Sequence, residues 1–205
     1  RNVRSLGGLR VRIGLDTSGS MSSPITGHRG AATTRVTCVM VASLIASTFL
    51  RRNPNTTILP FDTGLHPIRL DAEDSIITNS EKLAELGGGG TDCGIPLGYL
   101  NEHKDEGDLI IYVSDMESWA DRYASYEGTT GLRGEWHTYK RRNPKARLVC
   151  IDLQANGSVQ TPDEIGDTLN IGGGFNDHVF EVIESFANGE LGNKSWVDKI
   201  EAVEL

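Results

Sequence analysis

The feature that most constrains this chain is a regular alternation of short apolar segments typical of strands with longer segments typical of helices. A helix between two strands carries the chain back to the same end of the sheet, so this alternation predicts a parallel sheet covered by helices on both faces. Strands are predicted at 9–16, 56–61, 67–70, 108–113, 146–151 and 168–171. Helices are predicted at 33–50, 79–86, 136–142 and 177–186, with another that begins near Asp92.

These elements predict an α/β fold with a doubly wound, mostly parallel six-stranded sheet of order 3-2-1-4-5-6, flanked by helices. The third strand, 67–70, is expected to run antiparallel because only the turn 62–64 separates it from the second. The chain is long enough for one buried core. We therefore expect one domain at 9–190, a linker remnant at 1–8, and a C-terminal tail at 191–205. For the tail, a helix is one of the alternatives that the sequence allows.

The overall charge disfavours some partners. The chain has 20 basic and 28 acidic residues, a net charge of -8, which repels phosphate backbones on average, so DNA is not expected as a partner. No apolar run approaches the roughly 20 residues that cross a bilayer, so no membrane partner is expected either. The three cysteines are widely spaced without a paired motif, which indicates a reducing, cytoplasmic setting.

One basic cluster leaves two interpretations open. Its cations can contact RNA phosphates, or they can form the end of a helix and offset the negative end of its dipole. We favour the second because the domain as a whole is acidic. The cluster consists of Lys140, Arg141, Arg142, Lys145 and Arg147.

Polar side chains follow the ends of two strands that the predicted order makes neighbours. Asp16 ends the first strand and Asp115 follows the fourth, so both carboxylates are expected in the crevice where the connections diverge. Alternate residues after Asp16 point the same way, which adds the hydroxyls of Ser18 and Ser20. A glycine-rich loop that ends at Thr91 lets the backbone approach the same point. Two adjacent buried carboxylates need a cation, so a metal site is predicted here.

The predicted ligands are all oxygen atoms, without imidazole or thiolate, which selects a hard ion. We expect Mg²⁺, with Mn²⁺ or Ca²⁺ as alternatives. Because the hydroxyls are neutral, the ion keeps much of its charge and an open position for an incoming carboxylate, which favours binding over catalysis. Alternatively, Ser18 and Ser20 merely cap the following helix.

The pattern Asp16-x-Ser18-x-Ser20, with the distant Thr91 and Asp115, resembles the metal-ion-dependent adhesion site of von Willebrand factor A-type domains, which have a Rossmann-like fold. Three further stretches resemble the C-terminal A-type domain of the Ro autoantigen (TROVE) proteins more narrowly. They are Gly-Gly-Thr-Asp-Cys at 89–93, Asp-Met-Glu-Ser-Trp at 115–119 and Ala-Arg-Leu-Val-Cys at 146–150.

This resemblance implies a domain that closes a ring of helical repeats in an RNA-binding ribonucleoprotein. Small noncoding RNA is then held mainly by a helical-repeat part that is missing here. The resemblance further implies that the five motif residues hold the metal, and that a protein ligand offers it an acidic residue.

Two other functions stay open. A Mg²⁺-dependent phosphatase of the haloacid dehalogenase type also places an aspartate after its first strand, but it needs a carboxylate two positions later, where this chain has Ser18. A secreted adhesion domain would use the same metal site. Outside the site, Asp92 is expected to start a helix, Cys93 to be a buried thiol, and the tryptophans at 119, 136 and 196 to be packing anchors.

Overall fold

A computed structural model of the chain describes residues 6–25, 35–115, 131–154, 166–172 and 178–189. Its strands are β1 Val11–Asp16, β2 Thr56–Phe61, β3 Leu109–Ser114, β4 Arg147–Asp152 and β5 Thr168–Ile171. Its helices are α1 Cys38–Arg52, α2 Ile76–Ala84, α3 Ile95–Glu102, α4 Gly131–Arg142 and α5 His178–Ala187, and a short 3-10 helix spans Gly19–Ser22. The linker at 1–5, the tail at 191–205, Trp119 and Trp196 lie outside the described residues.

The five strands form one parallel sheet of order β2-β1-β3-β4-β5. Strands β1 and β3 are therefore neighbours, and the helices that follow them cover opposite faces. Helices α1 and α5 pack on one face, while α3 and α4 pack on the other. This arrangement confirms the predicted doubly wound α/β fold, and it opens a crevice where β1 and β3 end.

The predicted strand 67–70 is wrong, so the sheet has five described strands where six were expected. After β2 the chain turns and makes a single antiparallel bridge between Phe61 and Leu65. Pro67 comes next and has no N–H to continue a ladder. Ile68 and Leu70 still pack against the core on alternate positions. The segment therefore has the burial pattern of a strand without its pairing.

Burial explains why the strands were recognisable. All six residues of β3 are buried, as expected for a strand covered on both faces. Each large apolar side chain that is fully buried contributes about 1.5–3 kcal/mol. None of the helices within the described ranges is both long enough and apolar enough to span a bilayer.

Tyr112 on β3 connects the sheet to the start of α3. Its hydroxyl donates to the carbonyl of Cys93 at 2.9 Å and accepts from the N–H of Leu97 at 3.3 Å. The Tyr112 ring fits against β1 because Gly14 has no side chain. A Cβ atom at Gly14 would lie only 3.0 Å from a carbon of the ring. Burial of the phenol raises the pKa of Tyr112 well above its ordinary value. This contact fixes the chain directly after Thr91.

Candidate metal centre at the carboxyl ends of the strands

Asp16 is the last residue of β1, and its side chain is fully buried. One carboxylate oxygen, Oδ1, accepts a hydrogen bond from the N–H of Ser18 at 2.8 Å. The other, Oδ2, accepts one from the hydroxyl of Ser114 at 2.6 Å. Ser114 ends β3, so this bond joins the two strands at the predicted crevice. Ser114 is not among the predicted site residues, because its contact with Asp16 spans 98 positions of the chain.

Ser18 and Ser20 connect Asp16 to the second carboxylate, because Ser18 bonds to Asp16 through its backbone N–H and to Ser20 through its hydroxyl. Ser18 Oγ lies 3.2 Å from Ser20 Oγ, and Ser20 Oγ donates to Asp115 Oδ1 at 3.1 Å. Asp115 is buried, with 1% of its surface exposed. The structure thus brings four of the five predicted residues into one hydrogen-bonded row, which we call the Asp16–Asp115 row.

The structure does not show Ser18 acting as a helix cap, which was the alternative to metal binding. Ser18 has extended backbone angles just before the 3-10 helix, but its side chain makes no capping hydrogen bond there. Helix α1 has its own cap, since the Thr37 hydroxyl accepts from the N–H of Met40. The Ser18 hydroxyl faces Ser20 instead.

The glycine-rich loop 87–90 packs directly on the loop that follows β1. Gly88 N–H donates to the Thr17 carbonyl, and Gly19 N–H donates to the Gly89 carbonyl, both at 2.8 Å. At Gly87, where φ is +86°, a Cβ atom would lie 2.0 Å from the Thr17 carbonyl oxygen. Only glycine permits this approach. Thr91 follows this loop and is 3% exposed, and the contacts described between the two loops run through the glycine backbone.

The electrostatics of the row suit a bound cation. Burial raises the pKa of Asp16, hydrogen bonds from Ser114 and Ser18 partly offset this, and the Asp62 carboxylate adds to the increase. The donors described for Asp16 are neutral groups. A buried carboxylate without a compensating charge is costly, and a metal ion supplies that charge.

The chemistry of the donors restricts the kind of metal. The row offers two carboxylates and two hydroxyls, a set that fits Mg²⁺, Mn²⁺ or Ca²⁺. Among the described residues, no group of three or more His, Cys, Asp or Glu side chains is placed to hold a metal. The oxygen donors of the row fit a hard ion better than a zinc ion.

Asp62 is a residue of this region that sequence reasoning treated only as part of a turn. Its Oδ1 accepts from the backbone N–H groups of Thr63 and Gly64, and its Oδ2 accepts from Gly89 N–H at 3.1 Å. Burial acts to raise the pKa of Asp62, but the bonds from Gly89 and Gly64 and the contact with His66 outweigh it and lower the pKa. The Asp-Thr-Gly sequence signals the turn, but it does not reveal the bond to Gly89.

Other residues have the structural roles that were expected. Asp92 Oδ1 accepts from Gly94 N–H at 3.0 Å, just before α3. Cys93 is buried and is not part of a disulfide, and Trp136 is a buried packing residue with 3% of its surface exposed. Asp92 thus lies two residues before Gly94, the N-cap of α3, while the buried-thiol prediction for Cys93 and the packing prediction for Trp136 are confirmed.

Three of the five cations in the basic cluster are held inside the fold. Lys140 forms an ion pair with Asp167 at 2.7 Å and donates to the Ala146 carbonyl. Arg142 donates to the Asn101 side chain, and Arg147 donates to the Phe186 carbonyl. These contacts favour the interpretation as a structural helix end over an RNA-binding surface.

The chain matches the family model described as the Ro60 vWA domain, where vWA stands for von Willebrand factor A, over residues 10–187. It is 27% identical over 192 residues to the RNA-binding protein RO60 of Deinococcus radiodurans, which covers 89% of this chain and 32% of that protein. It is 23% identical over 185 residues to the RNA-binding protein RO60 of Caenorhabditis elegans, which covers 90% and 27%. The chain thus spans about a third of the length of these relatives.

A solved structure supports the same fold. The crystal structure of the Ro (RSR) protein of Deinococcus radiodurans is similar with a TM-score of 0.70 and 24% sequence identity, covering 93% of this chain and 36% of that chain. The family match extends over all five described strands and all five described helices. This chain therefore belongs to the Ro60 vWA domain family.

Proposed function

We propose that this chain is a divalent-metal-dependent binding domain of a Ro60-type RNA-binding protein, and that its metal receives an acidic side chain from a protein partner. The proposed metal is Mg²⁺, with Mn²⁺ or Ca²⁺ as alternatives. The proposed ligands are Asp16, Ser18, Ser20, Thr91 and Asp115.

The observation that carries this proposal is the Asp16–Asp115 row. It aligns oxygen atoms from the ends of two neighbouring strands, with 3.2 Å between the serine hydroxyls and 3.1 Å from Ser20 to Asp115. Oxygen atoms gathered this closely are what a small hard cation requires. When bound, the ion supplies a positive charge and an open coordination position for a carboxylate.

The chain's own residues support binding in preference to catalysis. The Ser18 hydroxyl stands where a phosphatase of the haloacid dehalogenase type needs its second carboxylate, and it bonds to Ser20. Asp16 is held on both sides by neutral donors, which keeps its carboxylate oriented. The domain is accordingly proposed to be non-enzymatic.

RNA binding is proposed to lie mainly in other parts of such a protein. The relatives are named RNA-binding proteins, and this chain spans about a third of their length. Its net charge is -8, and Lys140, Arg142 and Arg147 use their cations within the fold. A small noncoding RNA is therefore assigned to a helical-repeat part. A cytoplasmic location is also proposed, in keeping with three buried cysteines that form no disulfide.

A calorimetric titration with Mg²⁺ tests the metal site. The parent is expected to bind one ion, and Asp115→Asn is expected to bind it about tenfold more weakly or worse, because a charged ligand is lost. Asp105→Asn is the matched control, since Asp105 accepts a backbone N–H from Gly107 before the start of β3, at the opposite end of the strands. Equal affinities for parent and Asp115→Asn would contradict the proposed site.

A peptide pair tests the proposed partner chemistry. A blocked Gly-Glu-Gly peptide is expected to shift amide signals near Ser20 only when Mg²⁺ is present, whereas the Gly-Gln-Gly peptide is expected to leave them unchanged. Equal shifts with and without Mg²⁺ would contradict a metal-bound carboxylate.

Incubation with Mg²⁺ and a nitrophenyl phosphate tests for enzymatic activity and is expected to give no turnover. Turnover that Asp16→Asn abolishes would overturn the non-enzymatic assignment.

A further inference from the structure

Asp62 joins the turn after β2 to the loop that carries Thr91. Its carboxylate lies between the two, with Oδ1 on the N–H groups of its own turn and Oδ2 on Gly89 N–H at 3.1 Å. The residue is 7% exposed. A largely buried carboxylate that accepts several backbone hydrogen bonds has little freedom to reorient.

The backbone of Asp62 makes a second link to the same loop. Its carbonyl accepts a hydrogen bond from Asp92 N–H at 2.9 Å. Gly89 precedes Thr91 and Asp92 follows it, so the two bonds to Asp62 bracket Thr91. The position of Thr91 is therefore set from both sides by one residue.

The surroundings of Asp62 are shaped for this contact. A Cβ atom at Gly89 would lie 2.8 Å from Asp62 Oδ2, so a side chain there would displace the carboxylate. His66 approaches from the other side, with Nε2 3.0 Å from Asp62 Oδ1. The carboxylate is thus confined between the turn, the loop and an imidazole.

We infer that Asp62 is a positioning residue that holds the loop carrying Thr91 against the loop that follows β1, so that a fourth loop outside the adhesion-site motif sets the affinity for the metal. The effect on the metal rests on the function proposed above. The effect on the loop rests on the geometry alone. Residues that orient metal ligands without contacting the metal commonly matter for binding, and their replacement weakens metal affinity by about 10–100-fold.

Asp62→Asn tests the inference with little change in shape. The amide keeps one acceptor oxygen for the turn, but its NH₂ group faces Gly89 N–H, so two donors meet. Asp105→Asn is the matched control for general destabilisation, because Asp105 also accepts a backbone N–H and also contacts a neighbouring side chain, Arg12.

The first readout is amide hydrogen exchange in metal-free protein. Exchange at Gly89 is expected to be about tenfold faster or more in Asp62→Asn than in Asp105→Asn, after scaling to amides of β3 that report global unfolding. A loss of stability shared by the whole fold would not produce this local difference. Equal scaled rates at Gly89 in the two variants would overturn the inference.

The second readout is Mg²⁺ affinity by calorimetry. Asp62→Asn is expected to bind about tenfold more weakly or worse, while Asp105→Asn binds like the parent. If Asp16→Asn abolishes binding but Asp62→Asn binds like the control, the inference about affinity fails and the proposed metal site stands. If the parent itself binds no Mg²⁺, the proposed function fails, and the exchange at Gly89 still decides whether Asp62 positions the loop.

Discussion

Replacing Asp16 with asparagine separates two opposite contributions of this carboxyl group to stability. Burial raises its folded-state pKa above the ordinary value. The penalty for burying the charge is therefore absent below the unfolded-state pKa and develops as the pH rises through the folded-state pKa. Asparagine keeps an acceptor for Ser18 N–H, donates to the Ser114 hydroxyl and carries no charge. Metal-free Asp16→Asn is accordingly expected to be at least as stable as the parent at neutral pH.

Mg²⁺ is expected to reverse that order. At an ion concentration a hundredfold above Kd, binding to the folded state adds about 2.7 kcal/mol. For a domain of this size, 1 kcal/mol shifts Tm by roughly 2–4 °C, so the parent should gain about 5–11 °C. Asp16→Asn has lost a proposed ligand and should gain nothing.

Thermal unfolding at neutral pH, followed with EDTA and then across a Mg²⁺ series, measures both effects. Asp152→Asn is the matched control, because Asp152 also ends a strand and accepts the N–H of the residue two positions later. This control should retain the Mg²⁺ response. An equal Mg²⁺ response in Asp16→Asn and the parent would refute the reasoning, as would a clear loss of stability in EDTA beyond that of Asp152→Asn.

Three further predictions concern the frame around the site. Gly87→Ala should lower stability by about 1–3 kcal/mol in denaturant unfolding because of its positive φ and the clash with the Thr17 carbonyl, whereas Gly134→Ala in open space on α4 should raise it by roughly 0.5–1 kcal/mol; similar effects would contradict the close approach. Tyr112→Phe should cost about 1–3 kcal/mol, since two hydrogen bonds are lost, and an unchanged urea midpoint would show that they contribute nothing. The folded-state pKa of Asp62 is lowered, so its stabilisation is complete above the unfolded-state pKa and is lost as the pH falls through the folded-state value. Asp62→Asn should therefore lose less stability than the parent as the pH falls. If the free energy of unfolding falls equally with pH in both proteins, this prediction is contradicted.

Much of the fold can be predicted because strands that are buried on both faces of a sheet have nearly continuous apolar sequences. The segments 9–16 and 108–113 could be recognised from that pattern, and their adjacency followed from the doubly wound order. Adjacent strand ends predict that Asp16 and Asp115 lie close together. The hydrogen-bonded row through Ser18 and Ser20 agrees with that reasoning.

The segment 67–70 shows where pattern reasoning fails. Alternating burial of Ile68 and Leu70 is real, but it records packing against the core, and strand pairing requires donors that Pro67 cannot provide. The bonds from Ser114 to Asp16 and from Gly89 to Asp62 span 98 and 27 positions. Such contacts depend on loop geometry, which residue types alone do not determine.

The start of α1 shows how a cap decides a boundary. A helical pattern was recognised from 33, whereas the helix begins at Cys38 because Thr37 supplies the capping oxygen. Helix α4 is already present at Gly131, the first described residue of its segment and five residues before the predicted start. Apolar periodicity locates a helix, but its first turn depends on local hydrogen bonds.

The most direct test of the metal site is a crystal structure grown with Mn²⁺, in which anomalous scattering locates the ion without assumptions about its ligands. One strong peak is expected at the carboxyl ends of β1 and β3, within coordination distance of the hydroxyl oxygens of Ser18 and Ser20. A fully ordered site without a peak at millimolar Mn²⁺, or a peak held by other residues, would contradict it.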